Sequence, residues 1–323
     1  MNNQIFPNVF NGVQMQGAAK WKYHKNKTFD ETVMSVLASI VDTGAMSIRI
    51  PGGKNARGAW YKGDGNGDAK FAGQKCIDNP DNHPGEYNHF QVYVAAANAA
   101  NIGVWLTLHA YMDDDDVSEI YTKLEATGVR IDGVSVANEP YAPEYLSCDL
   151  WDWEFDSYQI CVDALRRNGY EGYIGIPAML GMRAMSREKR AQKWAEKVRE
   201  SGLLLQPKIC LDIHPYYPAD AFSMDISPFA YLNIFMDELA DNYADVPVVV
   251  TEWALKNQYE YDIDKITKVI SEYMEVFRSN KDKFIACYYN TMPGDAPGAP
   301  SARGLFDFTK NQLTEQGRFF AKV

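Results

Sequence analysis

Short apolar runs recur along the chain, and longer segments with apolar residues at helical spacing separate them. Runs of Val, Ile and Ala without polar alternation are typical of strands that are buried on both faces of a parallel sheet. Eight runs predict strands on this basis: Pro7–Met15, Ala45–Ile50, Ile102–His109, Val134–Asn138, Gly172–Pro177, Lys208–His214, Val246–Glu252 and Phe284–Asn290.

The segments between these runs have the apolar spacing of amphipathic helices. Gly44, Gly128 and Gly202 follow three of them, where a helix C-terminus favours glycine. The predicted helices are Asp30–Asp42, Tyr87–Ala100, Val117–Thr127, Phe155–Asn168, Ser186–Ser201, Pro228–Asn242, Asp262–Asn280 and Thr314–Lys322.

Eight alternating strand and helix units in 323 residues predict a (β/α)8 barrel. An open doubly wound sheet is the alternative, but it normally carries a Gly-rich phosphate loop after its first strand, and none follows Met15. No linker or repeat divides the sequence, so we expect one domain over residues 1–323. The long segments Gly52–Glu86, Tyr141–Glu154 and Thr291–Gly304 are predicted loops at the C-terminal face, where barrel enzymes build their sites.

Composition narrows the range of partners. A net charge of −11 disfavours nucleic acid, because phosphates repel an acidic surface. No apolar run reaches the roughly 20 residues that span a bilayer, and Met1–Pro7 lacks the basic and apolar start of a signal peptide. We therefore expect neither a nucleic-acid nor a membrane partner, and a monomer that is either cytosolic or given without its export signal.

Polar side chains follow the predicted strands at the same end of the barrel. Glu139 follows strand four and Glu252 ends strand seven, and two facing carboxylates are the basic requirement for cleaving a glycosidic bond. Other polar residues also lie at strand ends: Arg49 on strand two, His109 on strand three, Asn138 on strand four, His214 and Tyr216 after strand six, and Tyr288 or Tyr289 on strand eight.

Three short motifs resemble glycoside hydrolase clan A, the retaining (β/α)8-barrel glycosidases. Asn138-Glu139-Pro140 matches the strand-four signature, Thr251-Glu252-Trp253 resembles the strand-seven signature, and His214-Pro215-Tyr216 matches the His-x-Tyr of family 5 at strand six. The first two motifs fit families 5 and 39, whereas Ile48–Gly53 is similar to a strand-two motif of the family 51 arabinofuranosidases. Family 5 usually carries Trp at the end of strand eight, where this chain has Cys287–Asn290.

The resemblance implies that Glu252 is the nucleophile and Glu139 the acid/base. An attacking carboxylate must be ionised, and Arg49 and Tyr216 are the candidates that keep its pKa low. Glu139 must begin protonated, because it donates to the leaving oxygen before it accepts a proton from water.

The remaining site residues are expected to bind the sugar. Asn138 would hydrogen-bond the 2-hydroxyl, and His109 and His214 would orient hydroxyls or the carboxylates. Aromatic residues in and beside the loops offer faces on which sugar rings stack. The candidates for sugar contact are Trp253, Trp60, Trp151 and Tyr289.

Other chemistries find less support. Asp64, Asn66 and Asp68 begin like a calcium loop, but Ala69 and Lys75 break the pattern, so we expect a turn there. The sequence has no zinc-binding His or Cys spacing and no Gly-x-Ser-x-Gly elbow. We predict a retaining hydrolase of a β-linked oligo- or polysaccharide that needs no cofactor, with endo action favoured by the long loops. An arabinofuranosidase-like exo-enzyme, a transglycosylase and an inactive carbohydrate-binding barrel stay open.

Overall fold

A computed structural model describes residues 12–14, 29–50, 61–62, 70–71, 90–108, 112–138, 150–179, 185–243, 246–256, 262–290, 304–307, 310 and 312–323. For residues 12–14, 29–33, 61–62, 70–71, 90–93, 150–155 and 185–190 the backbone alone is described. None of the helices within these ranges is long and apolar enough to cross a membrane.

Eight parallel strands close into a barrel. Each strand pairs with its neighbours in chain order, and the first strand closes the ring by pairing with both the second and the eighth. The predicted (β/α)8 barrel is therefore confirmed. The strands are β1 (Gly12–Gln14), β2 (Ser47–Ile50), β3 (Gly103–Thr107), β4 (Ile131–Ser135), β5 (Tyr173–Pro177), β6 (Ile209–Ile213), β7 (Val248–Trp253) and β8 (Phe284–Tyr289).

A helix follows each strand and covers the outside of the barrel. The helices are α1 (Phe29–Asp42), α2 (Phe90–Ala99), α3 (Asp114–Ala126), α4 (Leu150–Arg167), α5 (Met185–Glu200), α6 (Pro228–Tyr243), α7 (Ile263–Ser279) and α8 (Glu315–Phe320). Shorter elements are a 3-10 turn at Leu203–Leu205, one helical turn at Asp220–Ser223, and two antiparallel pairs, Tyr61–Lys62 with Lys70–Phe71 and Phe306–Asp307 with Gln312–Leu313.

Helix α7 shows how the sequence specifies this layer. Its buried residues recur three and four positions apart, as in Ile266, Val269, Ile270 and Tyr273, so one apolar face packs against the barrel. The helix begins where the Asp262 side chain accepts a hydrogen bond from a backbone N–H of the first turn. Such a cap stabilises a helix by about 1 kcal/mol.

The barrel interior is apolar near its centre and polar toward the C-terminal ends of the strands. Trp105, Cys210, Val249, Ala286 and Tyr288 form the small apolar cluster inside the ring. Buried polar side chains lie further toward the C-terminal ends of the strands, at Thr107, Asp212 and Thr251, each two residues after a member of this cluster, and at Ser135 on β4. This polar end of the barrel positions the candidate site.

Several element boundaries differ from the sequence-based expectations. Helix α3 begins at Asp114, three residues before the predicted Val117. Strand β4 begins at Ile131, three residues before the predicted start, because Asp132 interrupts the apolar run without ending the pairing. Helix α4 begins at Leu150, although the segment up to Glu154 was predicted as loop.

Candidate active site

Glu252 lies at the C-terminal end of β7, and a bulge turns it toward the barrel mouth. Between the pairs Cys287–Val250 and Tyr289–Trp253, β8 advances by two residues while β7 advances by three. The extra residue breaks the in–out alternation of the strand. Thr251 and Glu252 therefore both make contacts inside the barrel, and Glu252 is 3% exposed.

Three side chains donate hydrogen bonds to the Glu252 carboxylate. Arg49 Nη1 donates to Oε1 at 2.5 Å, and the Tyr216 hydroxyl donates to Oε2 at 2.5 Å. Asn290 Nδ2 donates to the same Oε2 at 2.9 Å and also to the Tyr216 oxygen. Every described partner is a donor, which is the arrangement that favours an ionised carboxylate.

The electrostatics agree with this hydrogen-bond pattern. Burial by itself raises the pKa of Glu252, but attraction to His214 and Arg49 and the hydrogen bonds from Tyr216 and Arg49 outweigh it. The net effect lowers the pKa of Glu252 from its ordinary 4.5 to about 2. At neutral pH the Glu252 side chain is therefore a buried carboxylate at the barrel mouth.

Arg49 connects β2, β3, β4 and β7 through one guanidinium group. It is fully buried and donates to Thr107 Oγ1 at 3.0 Å, to Asn138 Oδ1 at 2.6 Å and to Glu252. Because Asn138 accepts through its oxygen, its amide nitrogen is left as a donor. That nitrogen is buried and has no hydrogen-bond partner among the described residues.

The loops after β6 and β7 are tied together, which places Tyr216 beside Glu252. Tyr217 forms an isolated parallel bridge with Leu255 beyond the ends of the two strands. The Tyr217 ring is buried, and its hydroxyl donates to the carbonyl of Ile226 at 2.5 Å. The anchored backbone leaves the preceding Tyr216 half-buried, with its hydroxyl on the carboxylate.

His214 lies between Glu252 and a second buried carboxyl group. Its Nε2 is 2.9 Å from Thr251 Oγ1, and its Nδ1 is 3.9 Å from Glu252 Oε2. Thr251 in turn donates to Asp212 Oδ1, and Asp212, in β6, lies two residues before His214 in the sequence. Ser135 donates to the other Asp212 oxygen at 2.5 Å.

The structure brings together five of the residues singled out from the sequence: Arg49, Asn138, His214, Tyr216 and Glu252. Their approach follows from the parallel barrel, which gathers the carboxyl ends of all strands at one face. Four other predictions are not described at side-chain level. Glu139, His109 and Trp60 lie outside the described residues, and for Trp151 only the backbone is described, in α4.

The predicted sugar contacts of Trp253 and Tyr289 require correction. Trp253 is 0% exposed and packs edge-on against Phe277, while Tyr289 is 1% exposed and packs against Trp253 and Phe320. A ring whose faces are covered by the helix layer is not available for stacking on a sugar. For Trp253 the cause is the bulge in β7, which turns Glu252 inward and Trp253 outward. Tyr289 faces outward because the preceding Tyr288 points into the barrel.

Several residues of the site were not anticipated. Asn290 directly follows β8 and Thr107 ends β3, and these positions at the C-terminal ends of strands were the available signal. Asp212 was also missed, although a charged residue in the middle of the apolar run Ile209–Ile213 is itself a signal of a special role.

No family model matches the chain, and no curated protein matches it. Solved structures do match. One is a xyloglucan-specific endo-β-1,4-glucanase of glycoside hydrolase family 5 from a metagenomic library, in complex with cellotriose. It has a TM-score of 0.62 at 14% identity, and the match covers 98% of each chain.

Two further structures show the same likeness. An endo-β-1,4-glucanase from Xanthomonas axonopodis pv. citri, carrying a triple mutation, has a TM-score of 0.60 at 16% identity over 96% of this chain and 97% of that chain. A β-mannanase from Thermomonospora fusca in complex with mannotriose has a TM-score of 0.55 at 14% identity over 97% and 89%. At these identities the likeness shows the fold.

Proposed function

We propose that the protein is a retaining glycoside hydrolase in which Glu252 is the nucleophile. The observation that supports this most strongly is the buried Glu252 carboxylate, which is held at the barrel mouth by Arg49, Tyr216 and Asn290. A buried anion is costly unless it is paired and used. Its low pKa keeps it deprotonated over the whole range in which an enzyme of this kind would work.

In the first step, a carboxylate oxygen of Glu252 forms a bond to the anomeric carbon while the bond to the leaving oxygen breaks. The negative charge of Glu252 is consumed as the ester forms. Tyr216 and Asn290, which both donate to Oε2, hold the group in one orientation throughout the approach. In the second step, water attacks the anomeric carbon and releases Glu252, so that the configuration is retained overall.

We assign the acid/base role to Glu139 on the resemblance of Asn138-Glu139-Pro140 to the strand-four signature. It protonates the leaving oxygen and later takes a proton from the attacking water. The preceding Asn138 presents a buried Nδ2 donor that has no hydrogen-bond partner within the described part of the chain. A sugar 2-hydroxyl is the acceptor that we assign to it, because that contact strengthens as the oxocarbenium-like transition state forms.

The substrate class that we propose is a β-linked glycan cleaved internally. The support comes from proteins with a similar fold. Two of the three structures described above are endo-β-1,4-glucanases, and the third is a β-mannanase. The acidic chain, with a net charge of −11, agrees with a neutral polysaccharide.

The test is a screen of β-glucans, mannans, xylans and aryl β-glycosides on the wild type and on Glu252→Ala, with released reducing ends or aglycone as the readout. We expect activity on at least one substrate and its loss by at least about 10³-fold in the variant. Activity that survives the substitution would remove Glu252 from the mechanism.

Azide separates the two glutamate roles. On an activated β-glycoside, azide should restore activity to Glu252→Ala by attacking the anomeric carbon in place of the carboxylate, which gives the α-glycosyl azide. With Glu139→Ala, azide should instead attack the glycosyl-enzyme and give the β-glycosyl azide. Proton NMR of the two products reads the configurations, and identical products would contradict the assignment.

A further inference from the structure

Asp212 is a buried carboxyl group that the proposed reaction does not use. It is 3% exposed, lies inside the barrel beneath the site, and accepts one hydrogen bond on each oxygen. Ser135 donates to Oδ2, and Thr251 donates to Oδ1. Each of these hydroxyl groups also contacts a ring nitrogen on its other side, so Asp212 ends two short hydrogen-bond chains.

The proton positions in the first chain are fixed by chemistry. Trp105 Nε1 can only donate, and it donates to Ser135 Oγ at 2.8 Å. Ser135 therefore accepts from the indole, and its single hydroxyl proton goes to Asp212. The oxygen of Asp212 on this side must act as an acceptor.

The second hydrogen-bond chain leads to His214, and its protons can adopt two alternative arrangements. When Asp212 is ionised, Thr251 gives its proton to Asp212 and can only accept from His214, whose Nε2 must then carry a hydrogen. If a donor replaced that carboxylate oxygen, Thr251 would reverse and donate to Nε2. The hydrogen of a neutral ring would then move to Nδ1, the nitrogen nearer Glu252.

We propose that Asp212 is a positioning residue that acts through Thr251 to hold the hydrogen of His214 on Nε2. In that setting Nδ1, at 3.9 Å from Glu252 Oε2, carries the lone pair of the neutral ring and the added proton of the cationic ring, and the cationic ring is the form that attracts the Glu252 carboxylate. The orientation of the ring and its tautomer are thus set from inside the barrel, independently of what binds above.

The pKa of Asp212 is raised, because burial outweighs the attraction of His214 and Arg49 and the hydrogen bonds from Ser135 and Thr251. The ionised form that the proposal requires therefore depends on the two hydroxyl donors, each of which gives its proton to one oxygen of Asp212.

The direct test is the tautomer of His214 in Asp212→Asn. The indole–Ser135 chain obliges the new amide to turn its oxygen toward Ser135, which leaves its NH2 group facing Thr251. Long-range proton–nitrogen NMR, above the pH at which the ring titrates, reports which ring nitrogen is protonated, and His214→Gln assigns the signal among the five histidines. We expect Nε2–H in the wild type and Nδ1–H in Asp212→Asn.

The two hydroxyl groups supply matched controls. Ser135→Ala removes an equivalent hydrogen bond from the other oxygen of Asp212 and should leave the tautomer as in the wild type. Thr251→Val breaks the link to His214 at almost constant volume and should release the Nε2–H preference, whereas Thr251→Ser keeps the hydroxyl and should restore it. These variants also keep the test valid if Asp212→Asn does not fold.

The proposal is overturned if the wild type and Asp212→Asn share one tautomer, or if the wild-type ring stays doubly protonated at every pH. A second readout rests on the proposed function: kcat should fall about 10- to 100-fold in Asp212→Asn and Thr251→Val but not in Thr251→Ser. Because the NMR readout needs no substrate, a protein without glycosidase activity would overturn the proposed function and leave the role of Asp212 to be judged on the tautomer alone.

Discussion

The charge on Glu252 predicts a specific dependence of stability on pH. Its pKa is lowered in the folded protein from the ordinary 4.5 to about 2. A group with a depressed folded pKa contributes stability above its unfolded pKa and loses it as the pH falls toward the folded pKa. At about 1.4 kcal/mol per pKa unit, the full contribution is about 3 kcal/mol.

Somewhat less than half of this contribution is lost within a pH range in which unfolding can be measured. Between pH 5.5 and pH 3.5 the unfolded chain gains most of a proton at this position while the folded protein gains almost none, which corresponds to a loss of about 1.3 kcal/mol. This pH range lies below the ordinary pKa of histidine, so carboxyl groups dominate the change of stability with pH. Glu252→Gln has no carboxyl group at this position and cannot lose this contribution.

The assay is urea unfolding of the wild type and Glu252→Gln at both pH values, followed by tryptophan fluorescence and circular dichroism. The stability difference between the two proteins should become about 1.3 kcal/mol less favourable to the wild type at pH 3.5 than at pH 5.5. Tyr216→Phe removes one of the donors to Oε2 and should retain only part of the effect. A difference that is equal at the two pH values would refute the low pKa and, with it, an ionised nucleophile held by these donors.

Three other substitutions test separate parts of the structure. Asn290→Asp places a second anion 2.9 Å from Glu252 Oε2. The acid limb of the pH profile of kcat/KM, measured on the glycan substrate, should therefore move upward by about one pH unit or more. An unchanged acid limb would contradict the contact. Gly133→Ala would push a Cβ into the Trp105 ring, so urea unfolding should show a loss of about 1–3 kcal/mol. Trp253→Phe should lower the unfolding free energy by about 1–3 kcal/mol and leave KM unchanged, whereas a large rise in KM would restore a sugar contact.

The fold was accessible from the sequence because parallel strands covered on both faces appear as uninterrupted apolar runs. The predicted runs ending at Ile50, Pro177 and Glu252 coincide with strands of the barrel to within a residue or two. Strand β4 was predicted less well, since its first half contains Asp132 and Gly133, which apolar runs do not include.

Much of the site was accessible for a related reason: in a parallel barrel, residues at strand ends converge whatever their distance in sequence. Arg49 and Glu252 are far apart along the chain and form an ion pair at 2.5 Å. The sequence did not predict which side chains of β7 point into the barrel, because one extra residue in this strand changes the alternation of inward and outward side chains. Trp253 was assigned to the sugar and lies in the core for that reason alone.

The free-energy cost of the polar layer inside the barrel indicates that these residues have a role other than stabilising the fold. A buried ion pair such as Arg49 with Glu252 is weak evidence for stability, because desolvation offsets most of its Coulomb attraction. The cluster just below, with Trp105 and Val249, shows that this barrel packs well with apolar side chains. A second buried carboxyl group, Asp212, adds further cost where apolar residues would fit. The arrangement is therefore understood best as a set of charges and donors held in fixed positions for a reacting molecule at the barrel mouth.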